Sequence, residues 1–178
     1  MTRSDADLVE LTRQGDTEAF GELYDRYARL VRAICADRTH DLTAAQDLAQ
    51  DVFLRAFERL SELRDAARFG AWVVGIARFT TMEWHRHQKR SRHQITENIS
   101  EDFDRSDDGT DDRLAGLLSL LADLPEMERL ALHAFYLDGH SAEEGAAVLG
   151  LSQSGFYKLL DSARHRLALR YRQTQEDP

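Results

Sequence analysis

The stretch Ser141–Leu167, SAEEGAAVLGLSQSGFYKLLDSARHRL, decides the fold class. Ser141-Ala142-Glu143-Glu144 has the form of a capping box, in which a serine hydroxyl and a glutamate three residues on satisfy two N–H groups at a helix start. The helix that follows carries Ala146, Val148 and Leu149, and Gly150 is suited to ending it. Leu151-Ser152 then supplies a fresh N-cap. Beyond it Phe156, Leu160, Ala163 and Leu167 recur at helical spacing, so Phe156 and Leu160 are assigned to a core. A short helix, a glycine turn and a longer helix make a helix-turn-helix.

Upstream, Leu114, Leu117, Leu118 and Leu121 open the same unit. Pro125 in Leu124-Pro125 suits the first turn of another helix, which Asp138-Gly139 should stop. Before this unit lies a different kind of sequence. Between Glu97 and Asp112 eight acids face the single Arg105, a net −7 that leaves about −2 for the rest of a chain whose total is −9. With Ser100, Ser106, Gly109 and Thr110, few apolar residues and no period, this segment reads as a linker. Immediately before it, His85–His93 holds Arg86, Lys89, Arg90 and Arg92 with three histidines and no acid.

The first unit is helical too. Phe20, Leu23, Tyr24, Tyr27, Leu30, Val31 and Ile34 form one apolar stripe after Asp16, an expected N-cap. Thr43-Ala44-Ala45-Gln46 reads as a capping box leading to Leu48, Val52, Phe53, Ala56, Phe57 and Leu60. A third helix starts near Ala66, buries Phe69, Trp72, Val73 and Ile76, and runs into the basic cluster. A weaker helix is expected before Gly15. The expectation is all-α: an N-terminal bundle and a C-terminal helix-turn-helix joined by an acidic flexible linker, with boundaries 1–94, 95–111 and 112–172.

Composition narrows the function. At 178 residues with 42% apolar and 31% charged residues, the chain reads as soluble and globular. The purest apolar run, Ala71–Ala77, is too short for a membrane span, and Met-Thr-Arg-Ser-Asp lacks a signal peptide's apolar core, so a cytoplasmic protein is expected. Cys35 is the single cysteine and reads as a small buried hydrophobe. There is no glycine-rich phosphate loop, no cysteine paired with histidine and no two-histidine metal helix, so neither catalysis nor a cofactor is expected. His85, His87 and His93 read as solvated or phosphate-contacting rather than as metal ligands.

Three segments together resemble the sigma-70 family of RNA polymerase sigma factors, in its extracytoplasmic-function (ECF) group. Gln46–Phe57 (QDLAQDVFLRAF) resembles the family's polymerase-binding helix, Phe69–Arg78 (FGAWVVGIAR) its promoter-melting helix, and Leu124–Leu167 its C-terminal helix-turn-helix. The resemblance implies a monomeric, non-enzymatic partner of core RNA polymerase and promoter DNA. Asp47, Gln50 and Asp51, at i, i+3 and i+4, would share a face turned to a basic coiled coil of the polymerase, with Arg55 beside them. The loop Ser61–Phe69 and the following helix would read the minus-10 element, Arg78, Trp84, Arg86, His87, Lys89 and Arg90 offering cations and an aromatic surface to a single strand. Ser152, Gln153, Ser154, Tyr157 and Lys158 would face the minus-35 element, with Arg164 and Arg166 on phosphates. The linker would thread the polymerase cleft, its carboxylates imitating a phosphate chain or serving as a spacer.

The sequence departs from the family in three places. More basic residues are usual where Tyr157, Leu159 and Asp161 stand. Gly145 replaces a branched apolar residue, at roughly 1 kcal/mol for a glycine inside a helix. Ala44 and Gln46 hold positions that are usually acidic, beside Thr43 at the expected N-cap. A phosphate on Thr43 would bring about −1.5 to −2 charge, so either Thr43 merely caps its helix or a Ser/Thr kinase activates the chain there, while an anti-sigma factor is the other controlling partner the resemblance implies. On the residues alone two rivals stay open. One is a dimeric helix-turn-helix regulator, the other an adaptor that holds polymerase or a kinase without reading DNA.

Overall fold

The computed structural model describes residues 3–39, 41–95, 120–121, 123–137 and 139–176. The acidic stretch Glu97–Asp112 and the residues Leu114, Leu117 and Leu118 lie outside them.

Ser4 opens α1 (Asp5–Arg13) with a complete capping box: its hydroxyl accepts the N–H of Asp7, and the Asp7 carboxylate accepts the N–H of Ser4. The Ser4 hydroxyl, and then its N–H, hold the Asp7 carboxyl below its usual range. α1 is no weak helix, since Leu8 and Val9 are completely buried. Asp16 begins α2 (Thr17–Thr39) as expected, accepting from the N–H groups of Glu18 and Ala19 at 3.0 and 3.2 Å. α3 (Leu42–Glu58) follows. Two 3-10 turns, Leu60–Glu62 and Ala66–Arg68, then lead into α4 (Phe69–Ile95).

The apolar stripes meet in one cluster. Leu23, Tyr27, Leu30, Val31 and Ile34 of α2 close on Leu48, Val52, Phe53 and Ala56 of α3 and on Phe69, Val73 and Ala77 of α4. Each large aliphatic side chain fully buried there contributes about 1.5–3 kcal/mol. Phe69 sits under the rings of Phe20, Tyr27 and Trp72, with centroids 6.4, 5.6 and 6.0 Å away. Tyr27 donates its hydroxyl proton to Asp5; burial first, and this bond second, raise its pKa far above the ordinary phenol value. Cys35 is buried as expected, and burial pushes its thiol up to about 12, so it is not a reactive thiolate.

In the C-terminal unit Pro125 is the N-cap of α5 (Glu126–Leu132), which runs on through a π-helical turn, His133–Leu137. Gly139, at φ +68°, supplies the left-handed residue beyond it. α6 (Ala142–Val148) and α7 (Gln153–Glu176) complete the element order. A second cluster, Leu124, Ala131, Leu132, Ala134, Ala142, Ala146, Phe156, Leu160 and Ala163, fills the space between α5, α6 and α7. No strand occurs among the described residues.

The helical class and two-unit organisation match the sequence reading. The sequence reading does not anticipate the contact between the units. Leu130 and Val148 belong to the buried cluster of the first unit, with Met127 and Leu149 packed against it. Asp37 at the end of α2 receives the Arg129 guanidinium side-on, one bond running from Nη2 to Oδ2 at 2.6 Å, and both side chains are only 13% exposed. A pair so withdrawn from water sets the orientation of the two units more than it adds stability.

Candidate functional site

α3 turns an acidic face outward. Asp47, Gln50 and Asp51 are exposed on one side of the helix and make no ion pair among the described residues. Leu54, one turn further on, is 56% exposed and continues that face. Arg55 does not join it. Its guanidinium is half-buried and bonds Glu83 of α4 at 2.7 Å, so it bridges two helices instead of flanking the acids.

The start of α3 corrects the expected cap. Asp41 is the N-cap: its carboxylate accepts from the N–H groups of Thr43 at 2.8 Å and Ala44 at 3.1 Å. A carboxylate in extended backbone serves two free N–H groups at once, so the helix begins before Thr43 and the Thr43/Gln46 box does not form. Thr43 is an exposed residue of the first turn.

α4 carries the basic cluster in two states. Arg86, His87, Lys89 and Arg90 are exposed and make no ion pair among the described residues. Arg78 is also exposed but is occupied, its Nε donating to Glu126 of α5 at 2.8 Å. Trp84 is half-buried and packs against the core of the first unit, with the His85 ring 5.3 Å away, so only part of its face is open to a nucleobase. Trp72 also packs on that core, as its place in the stripe predicts. With Ile76, Phe79 and Gly75 it floors a shallow groove between α3 and α4, rimmed by Arg55 and Arg59.

The helix-turn-helix forms as read. Ser141 and Glu144 exchange both bonds of the capping box, at 3.2 and 2.8 Å, and the Ser141 N–H, with its hydroxyl, holds the Glu144 carboxyl below the usual range. Gly150 at φ +68° turns the chain, and the Leu151 N–H bonds Ala146 at 2.8 Å. Ser152 accepts from the Gly155 N–H at 3.2 Å, in its expected role as cap. Gln153, Ser154, Tyr157 and Lys158 are all exposed on the first turns of α7, Tyr157 by 50%. Gly145 is no mere defect, for the Phe156 ring lies against its backbone.

The two expected phosphate contacts differ. Arg164 is exposed and lies over the Tyr136 ring, donating to its hydroxyl from Nε at 2.9 Å. Arg166 is tied down: its Nε donates to Glu128 at 3.2 Å, a carboxylate only 5% exposed that also accepts from Ser162 at 2.8 Å. A buried carboxylate needs such donors, so Arg166 serves the fold first.

Sequence reasoning missed Asp37, Arg38, Glu126 and Arg129, which join the units across 48 to 92 positions of chain. No local spacing carries such a signal.

Residues 23–91, which contain the acidic face of α3 and the basic run of α4, match the family description Sigma-70 region 2. Over 169 residues the chain is 31% identical to the ECF RNA polymerase sigma factor BldN of Streptomyces coelicolor, covering 91% of this chain and 64% of that protein. The chain carries a sigma-70 region 2 and is similar to sigma factors of that family. BldN is an ECF sigma factor by name. The chain is also 31% identical to the probable RNA polymerase sigma factor RfaY of Xanthomonas campestris, over 84% of this chain and 40% of RfaY. The chain thus spans roughly half the length of these two sigma relatives. The solved structure of CnrH in complex with the cytosolic domain of CnrY superposes with a TM-score of 0.67 at 25% identity, covering 99% of this chain and 100% of CnrH. No helix among the described residues is long and apolar enough to cross a membrane.

Proposed function

We propose that this chain binds core RNA polymerase and directs it to specific promoters, acting in the cytoplasm without catalysis of its own. Residues 1–94 hold the polymerase and minus-10 contacts, residues 95–111 are the tether, and residues 112–172 read the minus-35 element. One observation carries this reading. An acidic face with no internal partner, Asp47, Gln50 and Asp51, lies within the same sigma-70 region as an equally unpaired basic run, Arg86, His87, Lys89 and Arg90. Opposite charges displayed apart, with internal partners for neither, suit two different external partners, one basic and one anionic.

The kinship with BldN and RfaY, both RNA polymerase sigma factors by name, supports the same activity here. CnrH solved with a bound protein domain supports control by a protein partner of the anti-sigma kind.

The test is the affinity of core polymerase for the full chain and for Asp47→Lys/Asp51→Lys. Two exposed ion pairs contribute about 0.5–1 kcal/mol each, so the double variant should bind about tenfold more weakly with its melting temperature unchanged. Equal affinity would remove the acidic face from the account.

A further inference from the structure

Arg38 ends α2, Arg78 lies midway along α4, and both close on one carboxylate. Glu126 of α5 accepts from Nη2 of Arg38 at 2.7 Å through Oε2, and from Nε of Arg78 at 2.8 Å through Oε1. Its side chain is 20% exposed, while the arginines are 37% and 46% exposed. Each oxygen of the carboxylate has its own guanidinium. Two cations from separate helices, placed to grip the two oxygens of one anion, have the donor arrangement that a phosphodiester takes.

We propose that Arg38 and Arg78 form a two-arginine phosphate site of the first unit, and that Glu126 fills it as an internal phosphate mimic. The ligand is a phosphodiester of single-stranded DNA, because Arg78 lies on the same helix as Arg86, Lys89 and Arg90, a run of cations that make no ion pair among the described residues. The assignment of nucleic acid rests on the proposed function; the geometry of the site does not.

The site couples DNA binding to the relation between the units. Glu126 moves with α5, which is fixed to the first unit by Leu130 and by the Arg129 fork on Asp37. A phosphate and Glu126 cannot occupy the arginines together, so DNA at this site displaces the C-terminal unit, and a closed chain resists DNA. Removal of Glu126 leaves two like charges facing one another, a site whose affinity for an anion rises. By linkage, whatever opens the units strengthens DNA binding by the same factor.

The experiment uses the full chain without polymerase. Affinity for a fluorescent single-stranded oligonucleotide is read by anisotropy across a salt series. Distance between the units is read by energy transfer from dyes at Glu58→Cys and Glu143→Cys, both exposed sites, Cys35 being buried. Glu126→Gln is expected to bind the oligonucleotide roughly tenfold more tightly and to lose energy transfer. Adding Arg38→Gln to that variant should reverse the gain and flatten the salt dependence by about 0.7, the slope one single-strand phosphate contributes. Asp37→Asn loosens the same closure without touching either arginine, and it too should tighten oligonucleotide binding.

Unchanged affinity in Glu126→Gln and Asp37→Asn, or a gain that Arg38→Gln leaves intact, would overturn the proposal. Inorganic phosphate that opens the wild-type chain as fully as the oligonucleotide at matched ionic strength would overturn the assignment to nucleic acid. Both readouts are independent of transcription, so a chain that fails as a sigma factor but binds as described would separate the two conclusions.

Discussion

A methyl carbon placed on Gly145 of α6 would lie 2.5 Å from Cζ of Phe156 on α7, closer than two such carbons approach. The absence of a side chain at Gly145 is therefore what lets a fully buried Phe156 seat α7 against α6. Alanine is the better helix former by about 1 kcal/mol, but overpacking a filled core costs about 1–3 kcal/mol. Gly145→Ala should lower stability in urea denaturation. Gly21→Ala, at an exposed position of α2 with nothing within 4 Å, should raise it by about 0.5–1 kcal/mol. A stabilising Gly145→Ala would show that the ring does not need this space.

The α6 cap has a pH signature. The Glu144 carboxyl titrates below the usual glutamate range because the Ser141 N–H and hydroxyl bond its charged form. A lowered folded pKa gives stability that is present above the unfolded value and is lost as pH falls through the folded one. Ser141→Ala should cost about 1 kcal/mol near neutral pH. The gap in melting temperature between it and the wild type should narrow as the pH falls from neutral through the folded Glu144 carboxyl's lowered pKa. A gap that widened in acid would reverse the assigned sign.

Arg164 and Arg166, two positions apart, should respond differently to truncation. Arg166→Ala takes one donor from the buried Glu128, leaving it the Ser162 hydroxyl, and should cost about 1–3 kcal/mol in denaturation. Arg164→Ala removes an exposed contact to Tyr136 and should change stability by less than about 0.5 kcal/mol. In duplex binding, Arg164→Ala should flatten the salt dependence by about 0.9, the value of one phosphate contact. Matching stability losses for the two would place Arg164 in the fold as well.

Thr43 is a proposed phosphosite on changed grounds. With Asp41 as the cap, Thr43 is an exposed first-turn residue beside Ala44 and Gln46, on the helix that carries Asp47 and Asp51. A phosphate there would extend the acidic face where charge is missing, and the helix dipole would favour it. Thr43→Glu should bind core polymerase more tightly than Thr43→Ala by about two- to fivefold, the effect of one exposed charge. Equal affinities would end the kinase proposal.

Most of the local structure is legible in the sequence. Phe156 and Leu160 are readable as core from helical spacing, Ser141-x-x-Glu144 as a cap, and Gly139 and Gly150 as stops, because each signal lies within one or two turns of helix. Thr43 misleads because two cap residues stand close together, and the ionised Asp41 is the stronger acceptor. Arg55, Arg78 and Arg166 look like free surface cations in sequence; their partners Glu83, Glu126 and Glu128 sit 28, 48 and 38 positions away. Charge along a chain shows where cations are, but not which of them a distant carboxylate has already engaged.

The most direct measurement is run-off transcription by purified core polymerase on a genomic promoter library, with and without the full chain and its Thr43→Glu variant. Selective initiation from a small set of templates sharing upstream elements is the predicted result, lost in Asp47→Lys/Asp51→Lys. Start sites unchanged by the addition of either protein would contradict the assignment of this chain as a promoter-directing subunit.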